Sequence, residues 1–213
     1  MTLSLLDAPK PLLRAIRAEL GPEFVNDQQR RFFDCRAPEV LYSGAFGAGK
    51  SRIGCEKAYW LSQRYPGIPI GIFPKYAVTI RQSTQETLFR DVVPRGSGTW
   101  NGTTRTYRFH NGSKIMFFGL DPDIITGLPR IGSVELGWAF IDEAAECNEA
   151  DWVQVQGRLR WPGIPYHQIA GATNPASPLH WLKKRFTPPT NDRVYLHATT
   201  LDNPRLPADY IVN

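Results

Sequence analysis

The stretch Ser43-Gly44-Ala45-Phe46-Gly47-Ala48-Gly49-Lys50-Ser51 fits the phosphate-loop pattern G-x-x-x-x-G-K-S/T, with Gly44, Gly49, Lys50 and Ser51 in the fixed places. Glu39-Val40-Leu41-Tyr42 before it is a short β-prone run, and Arg52 to Gln63 after it reads as a helix. Strand, glycine loop and helix is the context the pattern requires. Glycines let successive N–H groups turn inward around phosphate oxygens. The loop feeds a helix N-terminus, whose orphan N–H groups and dipole favour anions. Lys50 then reaches the β- and γ-phosphates as a point charge, and Ser51 Oγ ligates Mg2+. Gly44 to Ser51, with Arg52 beside them, form the expected nucleotide-binding set. The plainer alternative is a glycine turn capped by serine, yet the pattern arises by chance in only about 1% of chains this long.

The remaining composition is compatible with that reading. The chain has 213 residues, enough for one α/β core with or without a small appendage, and 42% hydrophobic with 21% charged residues is ordinary globular content. No apolar run is long enough to cross a bilayer, and Met1 to Lys10 lacks the pattern of a secretory signal. Cys35, Cys55 and Cys147 stand apart without C-x-x-C spacing, which fits a reducing compartment. His110, His167, His180 and His197 show no metal-ligand spacing. The net charge of +5 tolerates a polyanionic partner without establishing one.

Upstream, Leu3 to Leu20 reads as a broken helix stopped by Gly21-Pro22, an appendage or lid over residues 1–22. Asn26 or Asp27 is placed to cap a short helix carrying Gln29 and burying Phe32 and Phe33. The Gln29 amide offers a donor and an acceptor to an adenine edge, with a solvated glutamine as the alternative. Downstream, Ile68 to Phe73 reads as a strand and Tyr76 to Val93 as a helix ended by Pro94. Arg105 to Phe118 is a hairpin whose Asn111-Gly112 predicts a type I′ turn. Its basic residues Arg105, Arg108 and Lys114 read as a solvated face, with phosphate contact the alternative. Asp121 to Gly137 is loop, Glu146 to Leu159 helix, Gln168 to Thr173 a core strand, His180 to Phe186 a short basic helix and Arg193 to His197 an edge strand. The tail from Asp202 to Pro207 has linker composition.

Trp138-Ala139-Phe140-Ile141-Asp142-Glu143 is an apolar strand ending in two carboxylates. Asp142 is expected to hold Mg2+ beside Ser51, and Glu143 to orient and deprotonate an attacking water. Strand alternation is expected to point the two side chains different ways. Thr173-Asn174 ends the next strand, where ligands gather in parallel sheets and a polar pair can sense a γ-phosphate. Negative charge spreads over phosphoryl oxygens in the transition state, so a further cation is expected. Arg130, in the glycine-rich loop before the acidic strand, is the first choice, with Arg52, Arg158 and Arg160 as rivals.

Taken in order, these motifs resemble a known family. They are Asn26-x-x-Gln29, Ser43 to Ser51, Asn111-Gly112-Ser113, Gly137 to Ala144, Gly157-Arg158-Leu159-Arg160, Thr173-Asn174-Pro175 with Trp181, and His197 to Pro204. The order is similar to that of the large terminase subunit of tailed bacteriophages, the motor that packs DNA into the capsid. The phosphate loop is generic; the Arg-Leu-Arg, Thr-Asn-Pro and Asp-Asn-Pro series is more specific. The resemblance implies an α/β P-loop NTPase of the additional-strand, catalytic-glutamate class. Its mostly parallel sheet would be flanked by helices, with an added antiparallel hairpin and the core at residues 23–200. It implies ATP as substrate with Mg2+, Gln29 on the adenine side, Asp142 and Glu143 in the metal and water positions, and Thr173-Asn174 as coupling motif. The family's arginine precedes a glycine, and Thr126-Gly127 competes with Arg130-Ile131-Gly132 for that place. Residues 201–213 would begin a linker to a nuclease domain that this sequence does not contain, so ATP hydrolysis without DNA cleavage is expected. Double-stranded DNA, a portal protein, a small terminase subunit and a homo-oligomeric ring are the implied partners, in the host cytoplasm and without a membrane. A helicase- or repair-type DNA-dependent ATPase and a nucleotide-binding docking module on the portal are the alternatives.

Overall fold

The computed structural model describes residues 22, 24–45, 47–74, 84–120, 131 and 133–203. The expected N-terminal appendage, Phe46, the first part of the Tyr76–Val93 helix, Arg130 and the tail beyond Asn203 lie outside the described residues.

Eight strands form one sheet in the order β3-β4-β5-β2-β6-β7-β1-β8. They are β1 (Glu39–Gly44), β2 (Pro69–Phe73), β3 (Gly98–Asn101), β4 (Thr106–Phe109), β5 (Lys114–Phe117), β6 (Trp138–Ile141), β7 (Gln168–Thr173) and β8 (Arg193–Ala198). β5, β2, β6, β7, β1 and β8 are parallel to their neighbours, whereas β3, β4 and β5 pair antiparallel. β7 is therefore inserted between the phosphate-loop strand β1 and the acidic strand β6. Register aligns Ser43 with Thr173, Gly171 with Ile141 and Ile141 with Phe73, so the C-terminal ends of β1, β7, β6 and β2 meet at one edge. Ligands of open parallel sheets bind at that edge.

The central strands are buried on both faces, which explains their near-continuous apolar runs. On one face, Val40, Tyr42, Ile72, Phe140 and Ala172 pack under helices α1 (Asp27–Asp34) and α2 (Lys50–Arg64) through Phe32, Ile53 and Ala58. On the other, Leu41, Ile141 and Ile169 pack under α4 (Glu149–Gln156) and α5 (Trp181–Phe186) through Trp152, Val155 and Phe186. Asn26 caps α1 by accepting from Gln29 N at 2.8 Å, as the sequence suggests. Among the described residues no helix is long and apolar enough to cross a membrane.

Three local readings change. The Asn111-Gly112 turn is not type I′, because positive φ falls on Gly112 (84°) and not on Asn111. Phe109 O accepts from Gly112 N and Phe109 N donates to Ser113 O, a longer connection. The reason is tertiary: Asn111 Nδ2 and Ser113 Oγ both donate to Ser62 O, at 2.8 and 2.7 Å, tying the turn to the end of α2. The helix expected from Glu146 starts later, as α4, because Asn148 and Asp151 form a reciprocal capping box. The described part of the Tyr76–Val93 helix is α3 (Thr84–Thr87), which widens into a π-helical turn over Leu88–Val92.

Candidate nucleotide-binding site

The loop between β1 and α2 has the backbone its glycines suggest. Gly47 and Gly49 have φ of 77° and 72°, and Gly49 stands as the residue capping α2. A Cβ at Gly49 would lie 2.4 Å from Gln29 Nε2, so no other residue fits without displacing that glutamine. α2 then presents Lys50 and Ser51 in its first turn. Lys50 is 7% exposed, and its Nζ donates to Gly44 O (2.8 Å), Ala45 O (2.9 Å) and Asn174 Oδ1 (3.0 Å). Burial lowers its pKa, against the opposing charges of Glu143 and Asp142.

Ser51 Oγ donates to Asp142 Oδ1 at 3.0 Å, joining the loop to the acidic strand across the width of β7. The other oxygen of Asp142 accepts from Thr84 Oγ1 at the start of α3. Burial pushes the Asp142 carboxyl above its ordinary range, although Thr84, Ser51, the Glu143 N–H and the Lys50 charge all favour the carboxylate. Glu143 is half-buried, and its pKa is also raised, by burial first and then by the charge of Asp142.

The divergence of the two carboxylates does not come from strand alternation, because β6 ends at Ile141. Asp142 and Glu143 lie in the turn that follows, and Glu143 holds a left-handed conformation (φ 52°, ψ 49°). A non-glycine residue kept there costs about 1–3 kcal/mol and persists only when its surroundings impose it. Here the short helix Ala144–Glu146 and the Asp142 hydrogen bond to Glu143 N hold the turn.

The structure thus brings together Gly44, Gly49, Lys50, Ser51, Asp142, Glu143 and Asn174. Thr173 is buried at the end of β7, with its hydroxyl on Asn174 O. Gln29 is 3% exposed, and its amide is engaged within the chain: Oε1 accepts from Val25 N and Nε2 donates to Ala48 O. Arg52 pairs along α2 with Glu56 at 3.6 Å. Arg158 and Arg160 stand elsewhere. Their backbones bond to Leu136, before the start of β6 and at the opposite end of that strand from Asp142.

Two contributors were not singled out from sequence. Thr84 carries no pattern, being one hydroxyl in a run of polar residues. Asn203, assigned to a linker, is 9% exposed and donates from Nδ2 to Gly47 O on the loop itself. Asp202 steadies that turn by accepting from Thr199 N and Oγ1. The Asp-Asn-Pro signature was the available signal for Asn203.

A glycine loop, a lysine and a serine on β1–α2, with an acidic turn two strands away, define a P-loop nucleotidase fold of the additional-strand class. Comparison with known proteins is consistent: the family model described as "Phage terminase large subunit" matches residues 39–213. The chain belongs to that family. It is 34% identical over 124 residues to the PBSX phage terminase large subunit of Bacillus subtilis (strain 168), a match covering 49% of this chain and 28% of that one. It resembles the solved large terminase of a thermophilic bacteriophage in complex with ADP, at 20% identity and a TM-score of 0.71, over 86% of this chain and 48% of that one. It also resembles the ATPase domain of the Thermus phage P74-26 large terminase, at 17% identity and a TM-score of 0.63, over 85% and 82% of the two chains. The chain therefore spans under half the length of the first two relatives.

Proposed function

We propose that the chain hydrolyses ATP with Mg2+ and that this hydrolysis powers movement of double-stranded DNA into a viral procapsid. The observation that carries the reading is the 3.0 Å bond from Ser51 Oγ to Asp142 Oδ1, which unites the phosphate loop with the acidic turn. The ADP complex of the thermophilic phage relative supports nucleotide as the ligand.

Ser51 and Asp142 suit Mg2+: both offer hard oxygen donors, and no group of three or more His, Cys, Asp or Glu side chains forms a metal cage among the described residues. Mg2+ is commonly held by one or two protein oxygens together with substrate phosphates. Bound there, the ion would neutralise charge on the β- and γ-phosphate oxygens.

Lys50 and the loop N–H groups bind the phosphates. The ammonium has three donors, and they rest on Gly44 O, Ala45 O and Asn174 Oδ1, so a γ-phosphate competes with Asn174 for Lys50. Release of Asn174 is the coupling event assigned to Thr173-Asn174. Glu143 holds the attacking water and takes its proton as the oxygen bonds to the γ-phosphorus and the bond to ADP breaks. Burial first, and then the charge of Asp142, raise its pKa, which strengthens it as a base. Gln29 and Ala48 line the base side of the loop, and Arg130 supplies the further cation, in cis or to a neighbouring subunit. The partners are duplex DNA, a portal protein, a small terminase subunit and further copies in a ring.

Steady-state phosphate release tests this. Lys50→Ala should lose nucleotide binding, while Glu143→Gln should bind ATP and lose turnover. Turnover retained in Glu143→Gln removes the glutamate from its role. For Arg130, the rate per subunit should rise with protein concentration and collapse in Arg130→Ala if the residue serves a neighbour.

A further inference from the structure

The antiparallel extension of the sheet has one covered face and one open face. On the covered face Trp100, still 36% exposed at the sheet edge, lies opposite Tyr107, and Tyr107 opposite Ile115, and these pack with Phe89 of the π-helical turn. On the open face Thr99 lies opposite Arg108, and Arg108 opposite Lys114, a polar and basic row across β3, β4 and β5. α4 and α5, which cover this side of the sheet, pack on the β1–β7–β6 half and on β8. Thr99, Trp100, Asn101, Thr106 and Arg108 are among the residues lining an open hollow of about 510 Å³ at the edge of this row.

The local charge is one-sided. From Val93 to Leu120 the sequence carries Arg95, Arg105, Arg108 and Lys114 and no Asp or Glu. Among the described residues no carboxylate is joined to Arg108 or Lys114. Natural edges use isolated charges to deter strand pairing, but a cross-strand pair of like charges destabilises the sheet and needs another reason. Arg108 beside Lys114 is such a pair.

We infer that this open face of β3–β4–β5 contacts the phosphate backbone of duplex DNA. The inference rests on the packaging reading and supplies the surface that reading leaves unassigned. Cations set among hydroxyl and amide donors recognise phosphates without reading sequence, as transport of any DNA requires. Duplex is favoured over single strands because Trp100 is the one aromatic among the residues lining the hollow, and its ring already meets Phe89 (5.1 Å) and Phe117 (6.0 Å) in T-shaped contacts, whereas single-strand sites stack successive bases on several aromatics. The same extension also leads back to the nucleotide. Phe89 lies in the π-helical turn that continues α3, and Thr84 at the start of α3 bonds Asp142, so force on the face reaches the acidic turn through this continuous helical segment.

The test is fluorescence anisotropy of the 213-residue chain with a short labelled duplex of mixed sequence, over about 50 to 200 mM salt. Wild type is compared with Arg108→Gln/Lys114→Gln and with Arg31→Gln/Lys184→Gln, an equal charge change on α1 and α5. The hairpin variant should bind at least about tenfold more weakly at low salt, with the slope of log affinity against log salt reduced by about two. The control pair should keep the wild-type slope and melting temperature, the hairpin variant should melt no lower than wild type because a like-charge pair is relieved, and both should keep basal phosphate release. A wild-type slope in the hairpin variant, or an equal loss in the control, overturns the surface while the packaging reading stands. Tighter binding to single-stranded DNA of equal length, lost with the same substitutions, overturns the choice of occupant. A wild-type chain that binds no duplex at low salt overturns the packaging reading itself.

Discussion

Replacing Gly54 with alanine sets two effects of opposite sign against each other. Gly54 is buried in the middle of α2, and alanine there should favour the helix by about 0.5–1 kcal/mol. The packing opposes this. A Cβ at Gly54 would lie 2.2 Å from Phe140 Cζ and 2.5 Å from both Cε atoms. Carbon atoms in contact sit about 3.5–4.0 Å apart. The ring has no room to retreat, because Phe140 is fully buried, stacked on Trp138 and flanked by Phe32. Overpacking of this kind costs about 1–3 kcal/mol, and the rigid backing favours the upper half of that range. The net expectation is a loss of about 1–2.5 kcal/mol, or roughly 2–10 °C in melting temperature for a domain of this size. Because α2 carries Ser51 and β6 leads into Asp142, lifting the helix should also lengthen the Ser51–Asp142 contact and weaken nucleotide binding. Calorimetry and nucleotide titration of Gly54→Ala read both. Adding Phe140→Leu should recover part of the loss, giving a favourable coupling in the double-mutant cycle. A Gly54→Ala protein as stable as wild type, or more so, would refute the packing argument.

Three further outcomes are expected. Thr84→Val leaves one oxygen of buried Asp142 without its hydroxyl donor and should destabilise by about 1.5–3 kcal/mol, with Thr84→Ser retaining most of the stability in denaturant titrations. Asn203→Ala removes the anchor on Gly47 O and should weaken ATP binding severalfold by calorimetric titration while changing stability by no more than about 1.5 kcal/mol. Lys57 is fully buried, donates to Phe32 O and Cys35 O at the end of α1, and has its pKa lowered by burial to about 7. In the unfolded chain the same ammonium titrates near 10.4, so between about pH 7 and 10 the unfolded state holds more protons and stability rises with pH. The rise should approach about 1.4 kcal/mol per pH unit and be absent from Lys57→Met in urea titrations at pH 7 to 9.

The legible part of this protein was local. Gly44 to Ser51 imposes its own loop, because two glycines must take positive φ and a helix must follow to present Lys50 and Ser51. Asn26 announces α1 through a side chain that reaches only three residues ahead. Continuous apolar runs such as Trp138 to Ile141 mark strands buried on both faces, and in such strands a terminal Asp-Glu is conspicuous. Even so, the turn at Asn111-Gly112 was decided by Ser62 on another element, and the stagger of Asp142 and Glu143 by a left-handed residue rather than a pleat.

What tertiary structure alone decided is which distant groups share the site. The insertion of β7 between β1 and β6 sets the spacing across which Ser51 meets Asp142, and strand order follows from global packing. Thr84 reaches Asp142 from 58 residues away, and Asn203 reaches Gly47 from 156, through hydrogen bonds that leave no periodicity in the sequence. Chain chemistry determines caps, turns and buried strands within a few residues. Contacts between far positions depend on the register of the whole sheet, which no short segment encodes.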